Sequence, residues 1–457
     1  MKRRPLWWVA LATGCGQFDQ PSSGLPRAVA APCIADLPGT TYRCGSIVVV
    51  RDRQTGTGTV ALPYIVLPAN REPRRPDPIL YFGGGRGRTP LADLIWLGHY
   101  QREGTDRDLI ILEQRGAGYS EPAVRCASAL LTPGATRACR DSLASAGVDP
   151  ADFSTAAAAA DYADLLGLLG IDTANLVAVE GGTSWALRFA ALERGRIRSV
   201  FLDAPDPGVS DPTAVLDALD AIIAHCQRDV ACARAYPQSA AQFSRLIIDL
   251  GRQPAHHQGT TIDPDALVSM LSSALRDQAK LGGIPAGIDA AARGDWVAAS
   301  PLLQQGADIP EGVSMARLTA PGHDLTLDCG GSPRLGAARW SRVESNPATR
   351  PAIDRASGQE QLCRAWGVPV EPAAEIPAGV PVVLAVGGHD PVFPAASAQT
   401  VVAGLPNARL VVIPSAARGT LVQHCGRAVL RAFVADPATT TPTPCVATVS
   451  PIRFVVP

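Results

Sequence analysis

Eight short apolar runs, each of strand length, are the feature that most constrains the fold of this chain. Two of them flank a Gly/Thr/Gln turn, and most of the later ones are separated by helical patterns. The runs are Gly45–Arg51, Thr59–Leu67, Pro78–Phe82, Leu109–Glu113, Leu176–Val179, Val200–Asp203, Pro381–Val386 and Arg409–Ile413. A hairpin followed by β/α alternation predicts an α/β fold with an eight-stranded, mostly parallel sheet and helices on both faces.

The strand pattern disappears between Asp203 and Pro381, where the chain has a helical pattern instead. Apolar residues recur there at three- and four-residue spacing, as at Leu216, Leu219, Ile222 and Ile223. Helices inserted between two strands form a cap over the carboxyl ends of the sheet, where ligands bind. The predicted units are a core in two parts, 33–207 and 377–457, and a helical cap, 208–376.

The N-terminus has the pattern of an export segment. Residues 1–15 begin with basic residues and continue with an apolar stretch, Leu6 to Ala12, that is too short to span a bilayer. The stretch ends at Cys15 in a sequence that resembles a bacterial lipobox, with Ala12 where Leu is usual. We expect a lipoprotein tethered to the cell envelope through Cys15, or secretion after cleavage following Ala30. Residues 16–32 are predicted to be a linker.

The cysteine pattern also favours export. Apart from Cys15, the ten remaining cysteines fall into close pairs along the chain. The predicted disulfides are Cys33–Cys44, Cys126–Cys139, Cys226–Cys232, Cys329–Cys363 and Cys425–Cys445. An even set of paired cysteines is typical of an oxidising compartment.

Several classes of function are disfavoured by composition and spacing. The formal net charge is -1 and no Lys/Arg run follows Arg4, so we expect no nucleic-acid partner. No C-x-x-C occurs and no His lies at ligand spacing from a cysteine pair, so no metal is predicted. The glycines at 83–87 lack the P-loop lysine and the dinucleotide spacing, and we predict no cofactor.

Four motifs resemble the tripeptidyl/prolyl aminopeptidase branch of the α/β-hydrolases, which are exported serine peptidases. The motifs are Leu80–Gly87 (LYFGGGRG), Asp108–Pro122 (DLIILEQRGAGYSEP), Asn175–Thr183 (NLVAVEGGT) and Gly387–Pro394 (GGHDPVFP). The resemblance extends from about Cys33 to the C-terminus. It implies an α/β-hydrolase fold, with an oxyanion loop at Gly84, Gly85, Arg86 and Gly181.

The same resemblance places a carboxylate and a guanidinium where the family has its serine and histidine. The nucleophile elbow is Ala178-Val179-Glu180-Gly181-Gly182, so Glu180 occupies the serine position. The family's G-H-G frame is Ala417-Arg418-Gly419 here, so Arg418 occupies the histidine position. Only the acid, Asp390, is retained.

A carboxylate and a guanidinium at these two positions are incompatible with the serine-hydrolase mechanism. A carboxylate has no alkoxide to offer, and an arginine stays protonated and cannot act as a general base. We therefore predict a pseudoenzyme that binds a small molecule, a peptide or a partner in the cap–sheet cleft. The alternative is an active hydrolase in which Glu180 is a nucleophile or base, assisted by His389 or His424.

The two exchanged residues also lead to a structural hypothesis. Opposite charges at positions 180 and 418 predict an ion network of Glu180, Arg418 and Asp390 that fills the former site, because a lone buried charge is costly. Independent drift of the two positions is the alternative. Ser184, in a shifted elbow-like sequence, is expected to be a helix residue, and His389 is expected to face outward.

Overall fold

The computed structural model describes most of the chain between residues 24 and 457. The described ranges are 24–34, 40–84, 88–126, 132–205, 213–303, 320–331, 350–372, 378–403, 405, 407–439 and 443–457. The predicted export segment with Cys15 lies outside them, as do Gly85 and Arg86 of the predicted oxyanion loop.

The strands of the core form one mixed sheet with nine described members, in the order β1-β2-β3-β5-β4-β6-β7-β10-β11. Their bounds are β1 Arg27–Val29, β2 Arg43–Asp52, β3 Thr57–Leu67, β4 Ile79–Phe82, β5 Leu109–Leu112, β6 Ala174–Val179, β7 Ile197–Asp203, β10 Val382–Gly387 and β11 Ala408–Ile413. The first three strands and the β3–β5 pair are antiparallel, whereas β5, β4, β6, β7, β10 and β11 are parallel.

All eight predicted strands are present, but the predicted strand count was one too low. The additional strand β1 lies within residues 16–32, which were predicted to be a linker, and it pairs antiparallel with β2. Three residues are too few to give an alternating side-chain pattern. This edge strand is held by backbone pairing, which the sequence does not display.

Helices cover both faces of the sheet and fill the interval between β7 and β10. The described helices are α1 Leu94–Arg102, α2 Pro133–Ser145, α3 Thr155–Leu169, α4 Gly182–Leu192, α5 Ala214–Arg228, α6 Val230–Ala235, α7 Ser239–Arg252, α8 Pro264–Arg276, α9 Ile284–Ala292, α10 Trp296–Leu303, α11 Pro321–Gly331, α12 Arg350–Trp366, α13 Ala395–Ala403, α14 His424–Ala435 and α15 Cys445–Thr448. Alternate strand residues point to opposite layers. Leu80 packs with α3 and α4, whereas Tyr81 packs with α1 and α14.

The cap helices have an apolar core of their own. Buried residues of α5, α7, α8 and α9 form one cluster that includes Ile222, Phe243, Leu271 and Ile288. The expectation of no strand in this interval was wrong in one place, because Ala255–His257 (β8) and Thr260–Ile262 (β9) form a small hairpin. Each of these strands has only three residues, too few to give a strand pattern in the sequence.

Five disulfides tie neighbouring segments together. They are Cys33–Cys44, Cys126–Cys139, Cys226–Cys232, Cys329–Cys363 and Cys425–Cys445. Two of these lie wholly between β7 and β10, and none of the five joins a helix of that interval to the sheet. The cap helices are therefore held to the core by packing and hydrogen bonds.

A buried ion pair fixes the loop that follows β5. Arg115 is fully buried, and its Nε and Nη2 donate to the two carboxylate oxygens of Asp161 on α3 at 2.6 and 2.5 Å. Arg53 also donates to Asp161, at 2.5 Å. Next to Arg115, the buried Glu113 accepts the hydroxyl of Thr89 at 2.7 Å. This loop thus supports the segment that carries the predicted oxyanion residues.

Neutralising Asp161 should destabilise the protein far more than neutralising the partly exposed Asp164. Asp161→Asn leaves the Arg115 guanidinium buried without a counter-charge, which costs about 3 kcal/mol. Asp164→Asn removes a carboxylate that is 23% exposed and accepts a 2.8 Å hydrogen bond from Arg53, so a loss of less than about 1 kcal/mol is expected. Urea unfolding of both variants measures the difference, and equal losses would contradict this role for Arg115.

Candidate functional site

Glu180 lies on a sharp turn between β6 and α4, at the carboxyl end of the central strand. Its φ is 50°, a left-handed conformation that is unfavourable for a residue with a side chain. The turn is packed directly against β4, since a Cβ at Gly182 would collide with the carbonyl oxygen of Phe82. Such a strained strand–turn–helix is the geometry of a nucleophile elbow, and here it presents a carboxylate.

Arg418 lies in the loop after β11, and this loop is fixed from two sides. Gln278, next to cap helix α8, accepts the backbone N–H of Ala417 at 2.8 Å. On the other side, Asp203 at the end of β7 accepts the N–H groups of Thr420 and Leu421 at 2.8 and 3.0 Å. Both contacts flank Arg418, so the direction of its side chain is set by the cap and by the sheet together.

The guanidinium of Arg418 lies between two carboxylates. Its Nε donates to Glu180 Oε1 at 3.0 Å, and its Nη1 is 3.2 Å from each carboxylate oxygen of Asp390. The Arg418 side chain is 2% exposed and that of Asp390 is 0% exposed, whereas Glu180 is 30% exposed. The ion network expected from the sequence is therefore present, and Glu180 is its most exposed member.

Asp390 is held in place by its own backbone neighbours. Its Oδ1 accepts the N–H groups of Val392 and Phe393 at 2.8 and 3.0 Å. A buried carboxylate needs such donors in addition to its counter-ion. The turn after β10 thus fixes the acid, and the acid fixes the far end of the guanidinium.

The surrounding charges keep Glu180 ionised. Burial by itself raises the pKa of this carboxyl, but the positive charges of Arg418, Arg276 and Arg88 outweigh burial and lower the pKa below its ordinary value. Asp203 behaves in the opposite way, because burial raises its pKa to about 6 despite the N–H groups that it accepts. The elbow carboxylate is thus the more acidic of these two groups.

In the described part of the predicted oxyanion loop, a backbone N–H already donates to a carboxylate. Gly84 has φ 78°, and its N–H donates to Asp93 Oδ2 at 3.3 Å. The Tyr81 hydroxyl donates to the same oxygen at 2.7 Å. Burial raises the pKa of Asp93, and the Arg88 charge offsets this only in part. Of the other predicted oxyanion residues, Gly181 directly precedes α4, and Gly85 and Arg86 lie outside the described residues.

The two histidines considered as substitute bases are not joined to the network. His389 is 5% exposed, so the expectation that it faces outward was wrong: cap helix α5 covers it, a contact that sequence adjacency to Asp390 cannot reveal. Neither of its ring nitrogens has a hydrogen-bond partner among the described residues. The His424 side chain is 74% exposed, and its Nδ1 lies 3.2 Å from Glu103.

Ser184 lies in the first turn of α4, as expected of a helix residue. Its N–H donates to the carbonyl of Gly181 at 3.2 Å, and the elbow itself is at Glu180. No group of three or more His, Cys, Asp or Glu side chains in the described ranges is arranged to hold a metal ion. The site is built from ion pairs and backbone donors.

Sequence reasoning missed three supporting residues. Asp203 ended a predicted strand at the carboxyl edge of the sheet, and that position was a usable signal for a residue near the site. Gln278 and Asp93 gave no signal, because nothing in the sequence indicates that a cap glutamine reaches the Arg418 loop or that an aspartate reaches the Gly84 amide.

Removing the positive charge of Arg418 should lower the free energy of unfolding more than neutralising the partly exposed Glu180. Arg418→Met leaves Asp390 buried without its counter-ion, and we expect a loss of about 3 kcal/mol in the free energy of unfolding. Glu180→Gln keeps the shape and one acceptor at a partly exposed position, so about 1 kcal/mol is expected. Chemical denaturation with both variants tests this order, and a more stable Arg418→Met protein would show that the network does not stabilise the fold.

The contribution of Glu180 should depend on pH in one direction. Its folded-state pKa lies below the unfolded value, so its stabilisation is present above about pH 4.5 and is lost as the pH falls through the lowered folded pKa. The difference in unfolding free energy between wild type and Glu180→Gln should therefore be constant from pH 8 to about 5.5 and shrink in acid. A difference that grows below pH 4 would contradict the lowered pKa.

Comparison with known proteins agrees with this architecture. Residues 95–231 match a family described as alpha/beta hydrolase fold, and residues 350–445 match a family described as TAP-like protein. The first range contains the elbow, and the second contains Asp390 and Arg418. No curated protein sequence matches the chain significantly.

Solved structures resemble the chain only distantly. An esterase from Thermogutta terrifontis is 15% identical, with a TM-score of 0.40 and coverage of 86% of this chain and 99% of the other. A proline iminopeptidase from Mycobacterium smegmatis is 14% identical, with a TM-score of 0.42 and coverage of 87% and 98%. Together, the two family matches and the observed sheet place this chain in the α/β-hydrolase superfamily, in its TAP-like branch.

Proposed function

We propose that this chain is an exported α/β-hydrolase-fold protein that does not catalyse serine hydrolysis and instead binds a small molecule, a peptide or a partner in the cleft between cap and sheet. The observation that carries the proposal is the Arg418 guanidinium held between Glu180 and Asp390. A permanently charged donor fills the place where a serine hydrolase needs a proton acceptor.

Serine hydrolysis requires a nucleophilic hydroxyl and a general base, and this arrangement supplies neither. The elbow carries a carboxylate instead of a hydroxyl, and the residue beside it cannot remove a proton at any usable pH. In a serine protease, loss of the serine or of the histidine lowers turnover about a million-fold. Two exchanged members therefore leave no route through an acyl-serine intermediate.

Glu180 is also a poor general base. A general base works best with a pKa near the working pH, and the positive charges around Glu180 lower its pKa further below neutrality. Its carboxylate already accepts a 3.0 Å hydrogen bond from the Arg418 guanidinium. The carboxylate is better suited to accept a hydrogen bond from a bound ligand than to accept a proton during turnover.

One observation favours a second candidate, a hydrolase with a carboxylate nucleophile. Glu180 is placed on a strained elbow and remains 30% exposed, as a nucleophile would be. Such an enzyme forms an ester that a histidine-activated water must then cleave. His389 makes no hydrogen bond to Glu180, so the second step lacks its base.

Labelling with a fluorophosphonate probe separates these possibilities. The wild-type protein should not be labelled and should not hydrolyse aminoacyl or ester fluorogenic substrates. Labelling at a serine would overturn the proposal, and a substrate fragment esterified to Glu180, detected by mass spectrometry, would establish the carboxylate mechanism.

A restored triad provides the positive control. The double variant Glu180→Ser with Arg418→His places a hydroxyl and an imidazole beside the retained Asp390, and slow ester hydrolysis with probe labelling is expected. The matched control, Glu180→Ser alone, retains the guanidinium and should remain inactive. Equal activity of the single and double variants would mean that position 418 does not hold the proton acceptor of this site.

Export is supported by the five disulfides, which suit an oxidising compartment. None of the described helices is long and apolar enough to cross a membrane. A fusion of residues 1–32 to a reporter that folds only outside the cytoplasm should be active. Cys15→Ser should move the reporter from the membrane fraction to the soluble fraction, and an inactive wild-type fusion would contradict export.

A further inference from the structure

Two buried imidazoles lie at separate contacts between the helices of the β7–β10 interval and the sheet domain. His323 on α11 is fully buried, and His389 after β10 is 5% exposed. Neither ring nitrogen of either residue has a hydrogen-bond partner among the described residues. Buried polar groups are nearly always paired, so two unpaired imidazoles at one boundary require an explanation.

At the first contact, His389 packs against a histidine of the cap. The rings of His389 and His225, on α5, are stacked with their centroids 5.8 Å apart and their planes at 29°. The ring of Phe454, from the C-terminal tail, meets His225 edge-on at 5.7 Å. Core, cap and tail therefore meet at one aromatic stack.

The tail bridges the same boundary. Ser415 of the core donates its hydroxyl to the carbonyl of Ser450 at 2.7 Å. Further along, the N–H of Val455 donates to the carbonyl of Gly282, in the cap, at 3.0 Å. The stacked histidines thus lie beside a tail segment that is hydrogen-bonded to both the core and the cap.

At the second contact, α11 packs on the loop that follows β5. A Cβ at Gly116 would lie 2.8 Å from both the His323 ring and the Phe153 ring, which places the imidazole directly on the glycine backbone. The N–H of His323 donates to the carbonyl of Val124 at 3.1 Å. The surroundings of this ring are therefore apolar and tightly packed.

Neither contact can accommodate a protonated imidazole. At the first, the facing charged groups are His225 and Arg228 on α5, both of which oppose a proton on His389, and Asp229, which acts on His225. On the core side, Asp390 is already bonded to Arg418. Burial and these charges lower the pKa of His389 to about 4, and burial alone lowers that of His323 to about 3.

We propose that acid releases the cap of this protein from the sheet, because the stacked His225–His389 contact and the packed His323 contact hold only neutral imidazoles. The closed form binds protons more weakly than an open form whose histidines titrate near pH 6.5. Closure is thus fully stable above about pH 6.5 and weakens as the pH falls toward the lowered values. Opening would increase the exposure of Glu180 and Arg418. This consequence is the same whether the site binds a ligand or hydrolyses a substrate.

Hydrogen exchange of backbone amides at pH 8 and pH 5 tests the proposal on the full-length protein. After correction for intrinsic rates, α5 and α11 should each open roughly thirty-fold more often at pH 5, given folded pKa values of about 4 and 3 against an open-state value of 6.5. Amides of β6 provide the internal reference and should keep their protection. Unchanged protection of both helices at pH 5 would overturn the proposal.

Apolar variants identify the groups responsible. His389→Phe should remove the pH dependence at α5, and His323→Phe should remove it at α11. The matched control is His99→Phe, at an exposed histidine of α1, which should leave both dependences intact. Persistence of the full effect in both buried-site variants would assign the opening to other groups.

A measurement on the wild-type protein avoids variants that fail to fold. The C2–H exchange of each imidazole, followed by mass spectrometry across pH, reports the titration of individual histidines. His389 and His323 should titrate below pH 5. Midpoints near 6.5 at both buried positions would contradict the proposal.

Discussion

The bridge of Arg418 between Glu180 and Asp390 is the interaction on which the rest of the site depends. Burying a guanidinium is expensive unless its counter-ions are placed with hydrogen-bonding geometry, and here both carboxylates are so placed. The same three positions would hold a nucleophile, a base and an acid in a serine hydrolase. Here two of these positions hold Glu180 and Arg418, and together with Asp390 their side chains form a fixed ion network.

The scaffold around this bridge is fixed by backbone packing. The elbow still forces residue 180 into a left-handed conformation, and Gly182 still permits contact with the β4 backbone. Asp203 still fixes the loop that delivers residue 418. Because these constraints are set by backbone packing, they do not require that the side chains at 180 and 418 be catalytic.

The helices between β7 and β10 link the site to the rest of the molecule. Gln278 joins the cap to the loop of Arg418, and His225 joins it to the turn that carries Asp390. Each member of the network except Glu180 is thus positioned in part by a cap contact. A change in cap position would therefore alter the surroundings of both Arg418 and Asp390.

The sequence by itself determined the eight predicted strands, the helical insertion, the cysteine pairs and the identities of the residues at 180, 390 and 418. These are carried by local periodicity and by motif spacing, which need no knowledge of distant contacts. Only the tertiary structure decided that β1 joins the sheet, that Asp93 occupies the Gly84 amide, and that His389 is buried against His225. Each of these depends on backbone pairing or on a contact between residues in different elements, and neither leaves a periodic pattern in the sequence.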